Sequence, residues 1–204
     1  MDVAYSSIAK FDPVTKQVTK LMTEDAREFH APQTITPEGL ADDLAVLVWE
    51  NFTDFVSEWE GDSTLDELKL VDADGKADEH AVEEALIFLL WAHTRGAQQA
   101  FVGRAQPDLL KRTLDALHEA VFEDMVENGT PRSQLPVFEQ RASARYAEYN
   151  TAAAESNASV GEAVVQHLTA SSEPPATFMD IVTARAVEMA GPLRDYLEDV
   201  ELIP

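Results

Sequence analysis

Two histidines and a short run of arginines and tyrosines carry most of the chemistry open to this chain. His93 falls in the stretch EALIFLLWAHTRGAQQA, Glu84 to Ala100, on a stripe with Leu86, Leu89 and Ala97. His118 falls on a second stripe with Leu114, Val121, Phe122 and Met125. With both stretches helical and joined by a tight turn centred on residues 105 and 106, the two imidazoles stand at the same height on antiparallel neighbours. Asp115 and Glu119 then lie one step to either side. Two imidazoles and a carboxylate could hold a transition metal or move protons near neutral pH, so His93, Asp115 and His118 form the candidate metal site.

The set is incomplete. Ferritin-like di-metal bundles use Glu-x-x-His on two helices and two further glutamates, whereas this chain has Asp115-x-x-His118 once and no HExxH. The competing reading is two neutral histidines on apolar stripes, each bonded to a neighbouring side chain or carbonyl. It is the favoured one.

A second group lies in FEQRASARYAEY, Phe138 to Tyr149. Arg141 and Arg145 are one helical turn apart, with Tyr146, Glu148 and Tyr149 nearby. Two guanidinium groups beside tyrosines could clamp an anionic ligand through paired hydrogen bonds. The alternative is that they pair with acids on neighbouring helices and lay their stems along the core edge. His93, His118, Arg141, Arg145 and Tyr149 are therefore the candidate ligand-binding residues. The DxDG group of VDADGKADEH has the residues of a calcium loop without its spacing. With Gly75 at the sharp turn, the first ligand position falls on Leu70 and the last on Ala81. A polar turn ending in an Asp78 N-cap accounts for it.

The elements that must position these groups are helices. Ala85 to Ala92 are eight consecutive apolar residues, and Ile87, Phe88 and Trp91 fill the side opposite the His93 stripe. A helix apolar nearly all round has no face to offer water and belongs in the middle of a bundle. At about 17 residues, bordered by Glu84 and Arg95, it is short for a membrane span. Before it, residues 1 to 12 show no period. Asp12-Pro13 opens a modest helix through Val14, Val18, Leu21 and Phe29, and Thr36-Pro37-Glu38 opens a longer one ending near Trp59 and Gly61. The spacing places four main helices at about 37–60, 78–102, 108–127 and 133–155. A shorter one runs from the Ser159-x-x-Glu162 box to about Thr169, and another starts at Thr177-x-x-Asp180 and is broken or kinked by Gly191-Pro192. No alternation at period two is long enough for a strand.

The fold class expected is all-α: an up-and-down antiparallel bundle of four main helices with additional N- and C-terminal helices. It forms a single domain over 1–204, with the bundle core at about 36–155. Residues 158–204 pack on its side or mediate self-association.

Composition narrows the partners. Thirty-eight acids against fifteen bases give a net charge of -23, spread along the chain. Such a surface repels phosphate backbones and anionic lipid, so neither nucleic acid nor membrane is an expected partner. Six lysines against nine arginines, with abundant Ala, Val and Thr, suggest a salt-rich cytoplasm, where ions screen the self-repulsion, and fit an ordinary acidic bacterial protein equally. Cysteine is absent, which removes disulfides and thiolate chemistry. No basic segment with an apolar run opens the chain, so a cytoplasmic protein is expected and the sequons at Asn51, Asn128 and Asn157 are read as chance.

No phosphate loop, nucleophile elbow or cofactor motif occurs, and no cofactor is expected. The first functional reading is a non-enzymatic helical protein that binds a protein partner or itself, as in a homodimer. Its candidate face is Phe178, Ile181, Val182, Val187, Met189, Leu193 and Tyr196. The second is a small-molecule binder with a pocket near His93, His118 and Arg145. The third is a metal-dependent helical enzyme.

Overall fold

The computed structural model describes residues 33–56, 63–71 and 76–204. The expected N-terminal arm, the helix opened by Asp12-Pro13, the Trp59 and Gly61 end of the next helix, and Asp72, Asp74 and Gly75 of the polar turn lie outside the described residues. Among those described, the protein is all-α apart from two three-residue strands. The order is β1 (Gln33–Ile35), α1 (Pro37–Val56), α2 (Thr64–Glu67), α3 (Glu79–Phe101), α4 (Pro107–Glu127), α5 (Leu135–Glu155), α6 (Asn157–Leu168), α7 (Ala176–Glu198) and β2 (Val200–Leu202).

α3 is the centre. Asp78 caps it by accepting from the Ala81 amide, and every residue from Ala85 to Trp91 is buried, with Phe88 at 0% and Trp91 at 5% exposure. Its all-round apolar surface demands cover on every side, and α1, α4, α5, α6 and α7 supply it. Phe88 stacks against Trp91 and meets Phe55 and Tyr149 edge-on. The one polar atom of Trp91 that needs a partner donates to Asn150 Oδ1 at 3.0 Å.

Helix directions follow from cross-helix pairs. Asn51 with His93 and Phe55 with Phe88 make α1 and α3 antiparallel. Glu38 with Arg112 and Trp49 with Asp124 make α1 and α4 parallel, and His118 with Tyr146 and Phe122 with Phe138 make α4 and α5 antiparallel. Directions alternate, but the neighbours are not those of an up-and-down bundle of four. α4 packs most widely on α1, and α5 on α6. The apolar stripe of α4 is spent on α1, so α3 and α4 are not the close hairpin that the short connection suggests.

The C-terminal helices start earlier than their sequence boxes indicate. Ser156, not Ser159, caps α6, because its hydroxyl reaches the Ser159 amide at 3.0 Å. α7 begins at Ala176 behind Pro175 with no side-chain cap, so Thr177 lies inside it. Nor does Pro192 end α7, which runs on to Glu198. Gly191 has no Cβ to collide with the proline ring, which removes the usual bar to helical geometry before proline.

β2 then pairs in parallel with β1, with Gln33, Thr34 and Ile35 opposite Val200, Glu201 and Leu202. The Arg104 guanidinium locks this end by donating to the carbonyls of Ala100, Leu197, Glu198 and Val200 at 2.9 to 3.1 Å. Strands of three residues leave no period for a sequence reading to detect.

Candidate functional site

His93 and His118 use the same device. In each, ring Nδ1 meets the carbonyl four residues earlier, Leu89 O at 2.8 Å and Leu114 O at 2.7 Å. A carbonyl only accepts, so Nδ1 carries the proton and Nε2 is left as an acceptor. Asn51 Nδ2, which also donates to Leu47 O, faces His93 Nε2 at 3.3 Å. The Tyr146 hydroxyl faces His118 Nε2 at 3.0 Å. Burial pushes the His93 imidazole below its ordinary range, opposed by the bond to Leu89, and pushes the Tyr146 phenol up.

The expected pairing of the two histidines is therefore replaced by two separate ties, α3 to α1 and α4 to α5. Asp115 points elsewhere, bonded to Lys111 on the exposed side of α4. His93, Asp115 and His118 do not converge. Among the described residues no group of three such side chains could hold a metal ion.

The arginines meet acids, and the reason is register. α3 and α5 run parallel, so the adjacent Glu83 and Glu84 face Arg141 and Arg145. Arg145 grips Glu84 with two bonds, Nε to Oε2 at 2.9 Å and a terminal nitrogen to Oε1 at 3.0 Å. Glu84 is fully buried and the Arg145 side chain 20% exposed. The network continues from Arg145 to Glu148 at 3.6 Å, and from Glu148 to His167 Nε2 at 2.5 Å. The His167 carbonyl in turn lies 2.9 Å from His80 Nε2. Tyr149 is buried beside this network with a hydroxyl that has no hydrogen-bond partner among the described residues. Its phenol is pushed up, first by burial and then by the Glu84 charge. Arg145 is thus committed to structure.

Arg141 is placed differently. It pairs with Glu83 at the rim of a cleft of about 220 Å³ at the end of the helix assembly where α1 and α4 finish and α3 and α5 begin. Phe52, Val82, Leu86, Met125 and Phe138 form its apolar walls. One side is built by the turn after α4. Gly129 takes a φ of 101°, open to glycine without strain, and its amide and that of Thr130 return to the carbonyls of Val126 and Met125. This holds Thr130 against the cleft, where its hydroxyl is withdrawn from solvent and has no hydrogen-bond partner among the described residues. Ser133 and Gln134 complete the rim.

Of the residues proposed from sequence, only Arg141 lines this cleft. Glu83 and Thr130 were missed. The apolar walls were legible as stripe residues, but nothing in a stripe marks where neighbouring helices fail to close.

The C-terminal apolar face is spent within the chain. Val182 and Leu193 are buried, Phe178, Ile181, Met189 and Tyr196 pack against the core, and Val187 alone of the set is largely exposed, at 54%. No described helix is long and apolar enough to cross a membrane. In comparisons with known proteins, no family model, curated protein or solved structure matches this chain.

Proposed function

We propose that this acidic chain works in the cytoplasm as a non-catalytic binding protein for a small molecule, with its site in the cleft between α1, α3, α4 and α5. The observation that carries this reading is the composition of the cleft. Its lining joins apolar side chains, Phe52, Val82, Leu86, Met125 and Phe138 among them, to a smaller number of polar residues, Glu83, Thr130, Ser133, Gln134 and Arg141. An apolar interior with a small number of placed polar groups is the usual composition of a ligand site. A volume of about 220 Å³ lies below the roughly 300–1,000 Å³ of sites for drug-sized ligands, so the ligand is small.

The absence of catalysis is supported by how the other ionisable interior groups are occupied. His93, His118 and Arg145 each have structural partners that a reaction would have to displace. Self-association through the α7 face has less support, because most of that face is packed against the chain's own core.

The test is a titration with benzyl alcohol, a neutral probe, followed by amide NMR shifts. Saturable shifts gathered on Phe52, Leu86, Met125, Thr130 and Phe138 are expected, and Val82→Phe, which fills the cleft, should abolish them. Shifts scattered over the surface, or unchanged in Val82→Phe, would overturn the proposal.

A further inference from the structure

Resting on the cleft as the ligand site, we infer that its ligand is a zwitterionic amino acid with an apolar side chain of the size of leucine, methionine or phenylalanine. The rim presents one cation and one anion together. Arg141 donates to Glu83 through a single terminal nitrogen, and its other N–H groups have no partner among the described residues. Glu83 accepts through Oε2, and its Oε1 is likewise without a described partner. The half-buried pair therefore has an open donor edge and an open acceptor edge side by side.

An α-carboxylate fits the first, where a guanidinium offers paired N–H groups in the geometry a carboxylate takes. An α-ammonium fits the second. The side chain then enters among Phe52, Leu86, Met125 and Phe138.

The rim pair selects against the simpler alternatives. A plain carboxylate leaves the open edge of Glu83 unanswered, and a plain amine, which Glu83 and the net charge of -23 attract, leaves the Arg141 N–H groups unanswered. A zwitterion is neutral to the distant field and satisfies both rim groups at contact. The cleft of about 220 Å³ has room for one such side chain.

The experiment measures binding of L-phenylalanine, 3-phenylpropanoate, phenethylamine and benzyl alcohol to the full chain by amide NMR and calorimetry. L-Phenylalanine should bind at least about tenfold more tightly than either singly charged analogue, the scale of one charge-assisted contact. Arg141→Gln, with its fold checked from the amide spectrum, should remove that advantage. Should this variant fail to fold, the ranking on the unaltered protein decides alone. If benzyl alcohol shifts the cleft residues and the zwitterion gains nothing over the single charges, the inferred ligand class is wrong while the cleft stands as a site. If no compound shifts those residues, the cleft itself is not the site and the inference falls with it.

Discussion

Removing Arg145 should damage this protein more than removing the charge it neutralises. The perturbation is Arg145→Met, set against Glu84→Gln. In the first variant the Glu84 carboxylate, with no exposed surface, loses both of its bonds at 2.9 and 3.0 Å. Around it lie Phe88 and Tyr149 of the aromatic core, and water has no path that its exposure reveals. Breaking a buried pair in this way costs about 3–5 kcal/mol. In the second variant the stranded guanidinium is 20% exposed and already lies 3.6 Å from Glu148. It can turn to that carboxylate or to solvent, so the loss is nearer that of hydrogen bonds to a charged group, about 1.5–3 kcal/mol.

The assay is urea unfolding followed by circular dichroism, with the slope m checked so that a shifted midpoint reports stability alone. For a chain of this length, about 3–5 kcal/mol corresponds to a fall in Tm of roughly 6–20 °C. The double variant Glu84→Met, Arg145→Met replaces the pair with apolar groups of similar volume and should recover most of the loss. Arg145→Met costing less than about 1 kcal/mol, or Glu84→Gln proving the more harmful, would refute the reasoning, since either means the Glu84 carboxylate is not sealed from water.

Four further outcomes follow from single features. His93 is held below its ordinary range by burial, so as pH falls below about 6.5 the unfolded chain binds a proton that the folded one resists, and stability is lost at up to about 1.4 kcal/mol per pH unit. His93→Gln should lose less stability than the parent between pH 7.5 and 5.5, and an identical pH dependence would remove the argument. At Gly161 a Cβ would lie 2.1 Å from Thr183 Oγ1 and 2.9 Å from Met179 O; Gly161→Ala should therefore destabilise by about 1–3 kcal/mol in urea, despite alanine's better helix propensity. Ala170 closes α6 with a φ of 49°, and Ala170→Gly should raise Tm through a gain of about 0.5–1 kcal/mol; a lower Tm would show that the strain is absent. Raising KCl from about 0.1 to about 1 M shortens the screening length from about 10 to about 3 Å. With a net charge of -23 the melting temperature should climb, and a flat response would show that self-repulsion is not a significant cost.

How much of this was legible in advance depends on the range of the signal. The burial of α3 could be read directly, because eight consecutive apolar residues leave a helix no wet face. The Asp78 cap was equally local and equally readable. Pairing was not. A short connection says that α4 follows α3 closely, yet α4 lies chiefly on α1, and from that one difference His118 meets Tyr146 and not His93. A stripe shows that a helix has a face to bury without naming what it is buried against.

The C-terminal helices make the same point from the opposite side. Their apolar residues suit either packing on the side of the bundle or self-association, and a surplus for a partner requires four helices to be a sufficient bundle. A central helix with one wet flank would tolerate polar residues there, and Ala85 to Trp91 contain none. Only two or three neighbours can fit round one member of a four-helix bundle, so an all-round apolar α3 already requires more cover than α1, α4 and α5 provide. Leu193 belongs to that cover. Gly96, whose added Cβ would lie 2.6 Å from Leu193 Cδ2, marks a close approach of α7 to α3. The excess apolar surface on α3 and the apparent excess on α7 are two halves of one interface within the chain. On that ground the exposed chemistry of this protein is to be sought at the cleft rim, with Glu83 and Arg141, and not on its C-terminal face.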